Sequence, residues 1–140
     1  MKFITFLLCA GAALAFVQCQ DMPEKMKAIK EACQVESRAS EDDIKAIAQG
    51  MPATSREGKC YHACFMKKLE VLSESGKLDA VKTKAFVSTL SQGNDLTTFM
   101  DIIDNCAPIE VEANHCEAAS QYADCFTTMA KDKGVKLPRL

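Results

Sequence analysis

No tryptophan occurs among the 140 residues, and aromatic side chains make up only 6% of the chain. Basic residues number 17 against 19 acidic ones, with no long cationic run. Without a basic tract or a Trp stacking surface, nothing recommends a nucleic acid partner. The sequence contains no Gly-x-Ser-x-Gly elbow, no His-Glu-x-x-His pair and no phosphate loop. It therefore offers no anchor for the common hydrolase, metallopeptidase or nucleotide-dependent classes. The Cys-Cys-x-x-His grouping of a secreted phospholipase is also missing. No Asn-x-Ser/Thr sequon is present, so N-glycosylation is not expected. Strand-like alternation is absent over any useful length. What remains is a helical, non-enzymatic protein with no expected cofactor.

Cysteine is plentiful by contrast, with eight in the chain. Two of them fall in a separate opening segment. Lys2 is followed by an uncharged, largely apolar run from Phe3 to Val17. A basic start, an apolar stretch and small residues describe a secretory signal peptide, and the run is short for a membrane span. Cleavage fits after Ala15, or after Cys19 with Val17 at the −3 position. Cutting after Cys19 removes Cys9 and Cys19 and leaves an even set of six cysteines, whereas cutting after Ala15 leaves an odd thiol. Gln18 before Cys19 disfavours a bacterial lipoprotein site. The reading is a leader over 1–19 and one compact domain over 20–140. The protein is expected to be secreted and extracellular, with six cysteines forming three disulfides. Loss of Lys2 makes its net charge one unit more negative than the −2 of the whole chain.

The domain is organised around Lys59-Cys60-Tyr61-His62-Ala63-Cys64-Phe65-Met66-Lys67-Lys68-Leu69. Apolar residues recur there at helical spacing, and both cysteines lie on one face, one turn apart. Their Cβ atoms would stand about 5–6 Å apart, wider than the roughly 3.5–4.5 Å of a disulfide. Each should reach a different partner.

Five further helices are expected. Asp21-Met22-Pro23-Glu24 opens the first, with Met22, Met26, Ile29 and Cys33 on one face. Ser40-Glu41-Asp42-Asp43 opens the second, which stops at Gly50-Met51-Pro52. The third, the hub, is capped by Thr54 or Ser55 and runs to about Ser73. Asp79 caps the fourth, carrying Val81, Ala85, Phe86 and Leu90 and ending at Gly93. Asn94 caps the fifth, carrying Leu96, Phe99, Met100, Ile103 and Cys106 before Pro108. Asn114 opens the sixth, which lasts to Gly134. In that helix Cys116 and Cys125 fall on opposite faces, so it should be covered on two flanks. Excluding Cys60–Cys64 and Cys116–Cys125 still leaves about 10 of the 15 possible pairings.

The spacing Cys33-x26-Cys60-x3-Cys64-x41-Cys106-x9-Cys116-x8-Cys125 resembles that of the insect odorant-binding proteins. So do the hub phrase Lys59 to Cys64, the turn Gly76-Lys77-Leu78-Asp79, and the stretch from Cys116-Glu117-Ala118-Ala119 to Cys125-Phe126. The resemblance spans the domain. It implies an all-α, six-helix fold around an internal apolar cavity, interlocked by Cys33–Cys64, Cys60–Cys116 and Cys106–Cys125. It further implies a carrier of small hydrophobic ligands, acting as a monomer or weak homodimer and serving a membrane chemoreceptor. The competing reading is a seminal, salivary or haemolymph interaction factor on the same scaffold.

Candidate cavity walls are Tyr61, Phe65, Leu69, Leu72, Phe86, Leu90, Phe99, Met100, Ile103, Tyr122, Phe126 and Met129. Each is also an ordinary core residue by its helical spacing. The hydroxyls of Tyr61 and Tyr122 could meet a ligand's polar head or bond within the protein. His62 and His115 lie beside cysteines, but disulfide sulfur is not a thiolate ligand, so no metal site is expected. The alternating tail Val135 to Leu140 either folds over a cavity mouth or frays.

Overall fold

The computed structural model describes residues 22–138, so the expected leader lies outside the described residues. Packing divides the chain into two compact units, one through Ala32 and one from Cys33 onward. Helix α1 occupies 22–37. Within the first unit its residue Ile29 is buried, whereas Met22 is exposed.

In the second unit, α2 spans Glu41–Ala48, α3 Arg56–Lys68, α4 Ala80–Ser88, α5 Gly93–Cys106 and α6 His115–Asp132. The fold is all-α, and the described residues contain only an isolated antiparallel bridge between Leu72 and Leu78. Local capping explains most helix starts. Ser40 accepts a hydrogen bond from Asp43 N–H, and the Asp43 carboxylate accepts from Ser40 N–H, closing a capping box. Ser55 accepts from Gly58 N–H and donates to Asp43 at 2.8 Å, tying the start of α3 to α2. Asp79 accepts from Lys82 N–H, and Asn114 from the amides of Cys116 and Glu117.

Three boundaries differ from the sequence expectation. Helix α3 ends at Lys68 rather than near Ser73, because Glu70 adopts a left-handed φ of 61° and Val71 N–H closes back onto Met66 O. The following residues form a tight hairpin, with Asp79 N–H donating to Val71 O, which buries Val71, Leu72 and Leu78. Helix α4 stops at Ser88, capped by Thr89, so Gly93 is not its terminator. Instead Gly93, at φ +65°, opens α5, and Asn94 lies inside the first turn rather than capping it.

All three disulfides are formed. Cys33–Cys64 joins the end of α1 to α3, Cys60–Cys116 joins α3 to α6, and Cys106–Cys125 joins α5 to α6. Helix α6 thus packs between α3 on one side and α5 on the other, as its opposed cysteines require. In the chain-entropy account each cross-link stabilises the fold by about 2–4 kcal/mol.

Candidate ligand-binding region

Two apolar clusters flank α6. The first gathers Ala63 of α3, Leu72 and Leu78 of the hairpin, and Ala118, Ala119 and Tyr122 of α6. Met66, Ala107, Ile109, Val111 and Phe126 pack around it. The second holds Phe99, Ile102 and Cys106 of α5 with Ala130 of α6, lined by Val87, Cys125, Phe126, Met129 and Val135. Phe126 belongs to both and joins them.

The twelve candidate residues divide by environment. Leu72, Tyr122 and Phe126 meet in the first cluster; Phe99, Phe126 and Met129 meet in the second. Tyr61 and Phe65 are buried and stack on one face of α3, ring centroids 6.2 Å apart. Ile103 is buried as well. Leu69, Phe86 and Met100 are half-buried. Leu90 lies past the end of α4 and is 40% exposed. Val81, one of the apolar residues carried by the fourth helix, is 79% exposed, and the buried residue of that helix is Thr83. Two core residues were not among the candidates: Ala63 because its side chain is small, and Leu78 because its sequence context marks a turn. Yet Ala63 falls three residues after Cys60 on the same helical face, a spacing that marks it.

Polar atoms within this apolar setting are few. Tyr122 is fully buried, and its hydroxyl has no hydrogen-bond partner among the described residues. Such an orphan ordinarily costs about 1–3 kcal/mol. His62 Nδ1 is likewise enclosed and unpartnered. Burial pushes the His62 pKa down, an effect partly opposed by the negative charge of Asp124. Burial also pushes the Tyr61 phenol up. At the surface, Lys59 pairs with Glu117 at 3.1 Å beside the Cys60–Cys116 bridge, and Lys67 contacts His115. Among the described residues no three His, Cys, Asp or Glu side chains converge to hold a metal ion.

Two open clefts flank the hub disulfides. One, of about 280 Å³, is lined by Glu36, Ser37, Arg38, Arg56, Glu57 and Cys60. The other, of about 230 Å³, lies along Cys60, Ala63, Cys64, Lys67, His115 and Cys116. The first wall is mostly charged side chains, the second mixes Ala63 and cysteines with charged groups, and none of the twelve candidates lines either. No described helix is long and apolar enough to cross a membrane.

A family model described as PBP/GOBP matches residues 17–129. General odorant-binding protein 28a of Drosophila melanogaster is 36% identical over 133 residues, covering 92% of each chain. The solved structure of that fly's odorant-binding protein 28a aligns with a TM-score of 0.74 at 32% identity, covering 84% of this chain and 98% of the other. A fatty acid binding protein, OBP56a, from the oral disk of the blowfly Phormia regina aligns at TM-score 0.63. It is 18% identical and covers 80% of this chain and 94% of its own, a likeness of fold.

Proposed function

Because this chain belongs to the PBP/GOBP family of insect odorant-binding proteins, we propose that it is a secreted carrier of small, mostly apolar molecules. It takes one molecule reversibly into the helical domain and moves it through aqueous fluid. The observation that supports this most is the pair of apolar clusters joined at Phe126 and framed by three disulfides. Cross-links that restrict the unfolded chain offset part of the stability that a loosely packed interior would lose. The walls are drawn from Tyr61, Phe65, Leu72, Phe99, Met100, Ile103, Tyr122, Phe126 and Met129, with methionine adapting to ligand shape. A leader ending at Cys19, a mature chain from Gln20, and delivery to a membrane chemoreceptor belong to the same proposal.

Apolar burial contributes about 25 cal/mol per Å². After binding costs, a micromolar dissociation constant, near −8 kcal/mol, is expected. The test is displacement of a fluorescent apolar probe from oxidised protein by alcohols, esters, acids and terpenoids. Saturable uptake with displacement is the expected result. If folded protein takes up neither probe nor competitor, a protein-interaction role on the same scaffold replaces the carrier.

A further inference from the structure

Tyr122 is the largest fully buried side chain among the described residues. It stands in an apolar cluster rich in small residues, Ala63, Ala118 and Ala119 among them. Packing alone would be served as well by phenylalanine, since nothing described accepts from or donates to the hydroxyl. Buried tyrosine hydroxyls ordinarily find a partner, because an unpaired one loses its hydration without compensation. The missing partner has to be small and able to enter an apolar setting. Its charge is constrained too. The half-buried lysines of this unit face other groups: Lys59 pairs with Glu117, Lys67 contacts His115 and Lys84 pairs with Asp104. An ionised ligand head beside Tyr122 would be desolvated with no cation in hydrogen-bond reach of the same hydroxyl.

We propose that Tyr122 is the specificity-determining residue of the carrier, its hydroxyl binding a neutral carbonyl or hydroxyl oxygen of a ligand with an aldehyde, ketone, ester or alcohol head. Carboxylates are disfavoured. This rests on the carrier reading and assigns it a ligand class. His62, the other residue with an enclosed orphan atom among the described residues, is only half-buried and lies near the charge of Asp124, so it lacks the same apolar enclosure.

The test uses oxidised full-length domain, wild type and Tyr122→Phe, with Ser88→Ala, at an exposed hydroxyl of α4, as control. Affinity is measured by probe displacement for an alkane, a 2-ketone, a primary alcohol and a carboxylate of matched chain length at neutral pH. Thermal unfolding of each ligand-free protein is recorded alongside. Wild type should prefer ketone and alcohol to alkane by about tenfold, the value of one net hydrogen bond, and should bind carboxylate more weakly than ketone. Tyr122→Phe should erase the preference, keep alkane and probe binding, and leave ligand-free stability unchanged or higher. Ser88→Ala should retain the preference. A destabilised ligand-free Tyr122→Phe would show that the hydroxyl is paired within the protein, overturning the proposal. So would an unchanged ketone preference, or carboxylate bound as tightly as ketone. Loss of probe uptake by wild type itself would remove the carrier reading, and this assignment with it.

Discussion

At Gly76 the backbone takes a φ of +76°, and an added Cβ would stand 2.9 Å from His115 Cδ2. Both constraints penalise any side chain. Gly76→Ala should therefore destabilise the domain by about 1–3 kcal/mol, read as a lower urea midpoint with an unchanged slope. His62 sets a second expectation. Its folded pKa lies below the ordinary 6.5 because burial disfavours the imidazolium. Above that ordinary value both folded and unfolded chains carry it neutral. As pH falls through about 6.5 the unfolded chain gains the proton first, and stability drops until the folded side chain also titrates. His62→Gln should flatten the decline in melting temperature over that window. Asp101, held low by Lys133, and Asp43, held low by Ser55 and Ser40, act only in more acidic solution. The turn around Gly76 was legible as part of the family pattern. Neither the approach of His115 nor the orphaned Tyr122 hydroxyl was, since both depend on packing between segments distant in sequence.

Helix starts were more legible than helix ends. Ser40, Ser55, Asp79 and Asn114 each announce a helix by side-chain chemistry that acts within three residues. The end of α3 carries no such sign, because Glu70 rather than glycine takes the left-handed turn, held by the hairpin that follows. Helix α4 misled for a related reason. Its apolar residues do not share one stripe, and tertiary packing buries Thr83 while exposing Val81. Capping carries its own prediction. Asn114 satisfies two amides at the start of α6, next to Cys116. Asn114→Ala should cost about 1 kcal/mol in thermal unfolding, and Asn114→Asp should largely retain wild-type stability.

At the scale of the whole molecule, the cysteine pattern carried most of the information. Helical geometry excluded two pairings, and the family resemblance supplied the connectivity that the structure shows. The bridges close loops of different length, with separations of 56 residues for Cys60–Cys116 and 19 for Cys106–Cys125. On the entropic account, paired Cys→Ser replacement at 60 and 116 should cost about 1 kcal/mol more than at 106 and 125. Comparative denaturant unfolding of the two double variants checks this. The cavity walls were the least legible feature, because one helical spacing serves both a filled core and the lining of a binding site.

Uptake of one apolar molecule by this stapled helical domain is open to calorimetric titration of the oxidised protein with a 2-ketone at several temperatures. A carrier binds one molecule per chain saturably, with a micromolar dissociation constant. Its binding carries a negative heat-capacity change, as burial of apolar surface requires. Heats that never saturate, or saturable binding with no heat-capacity change, would contradict it.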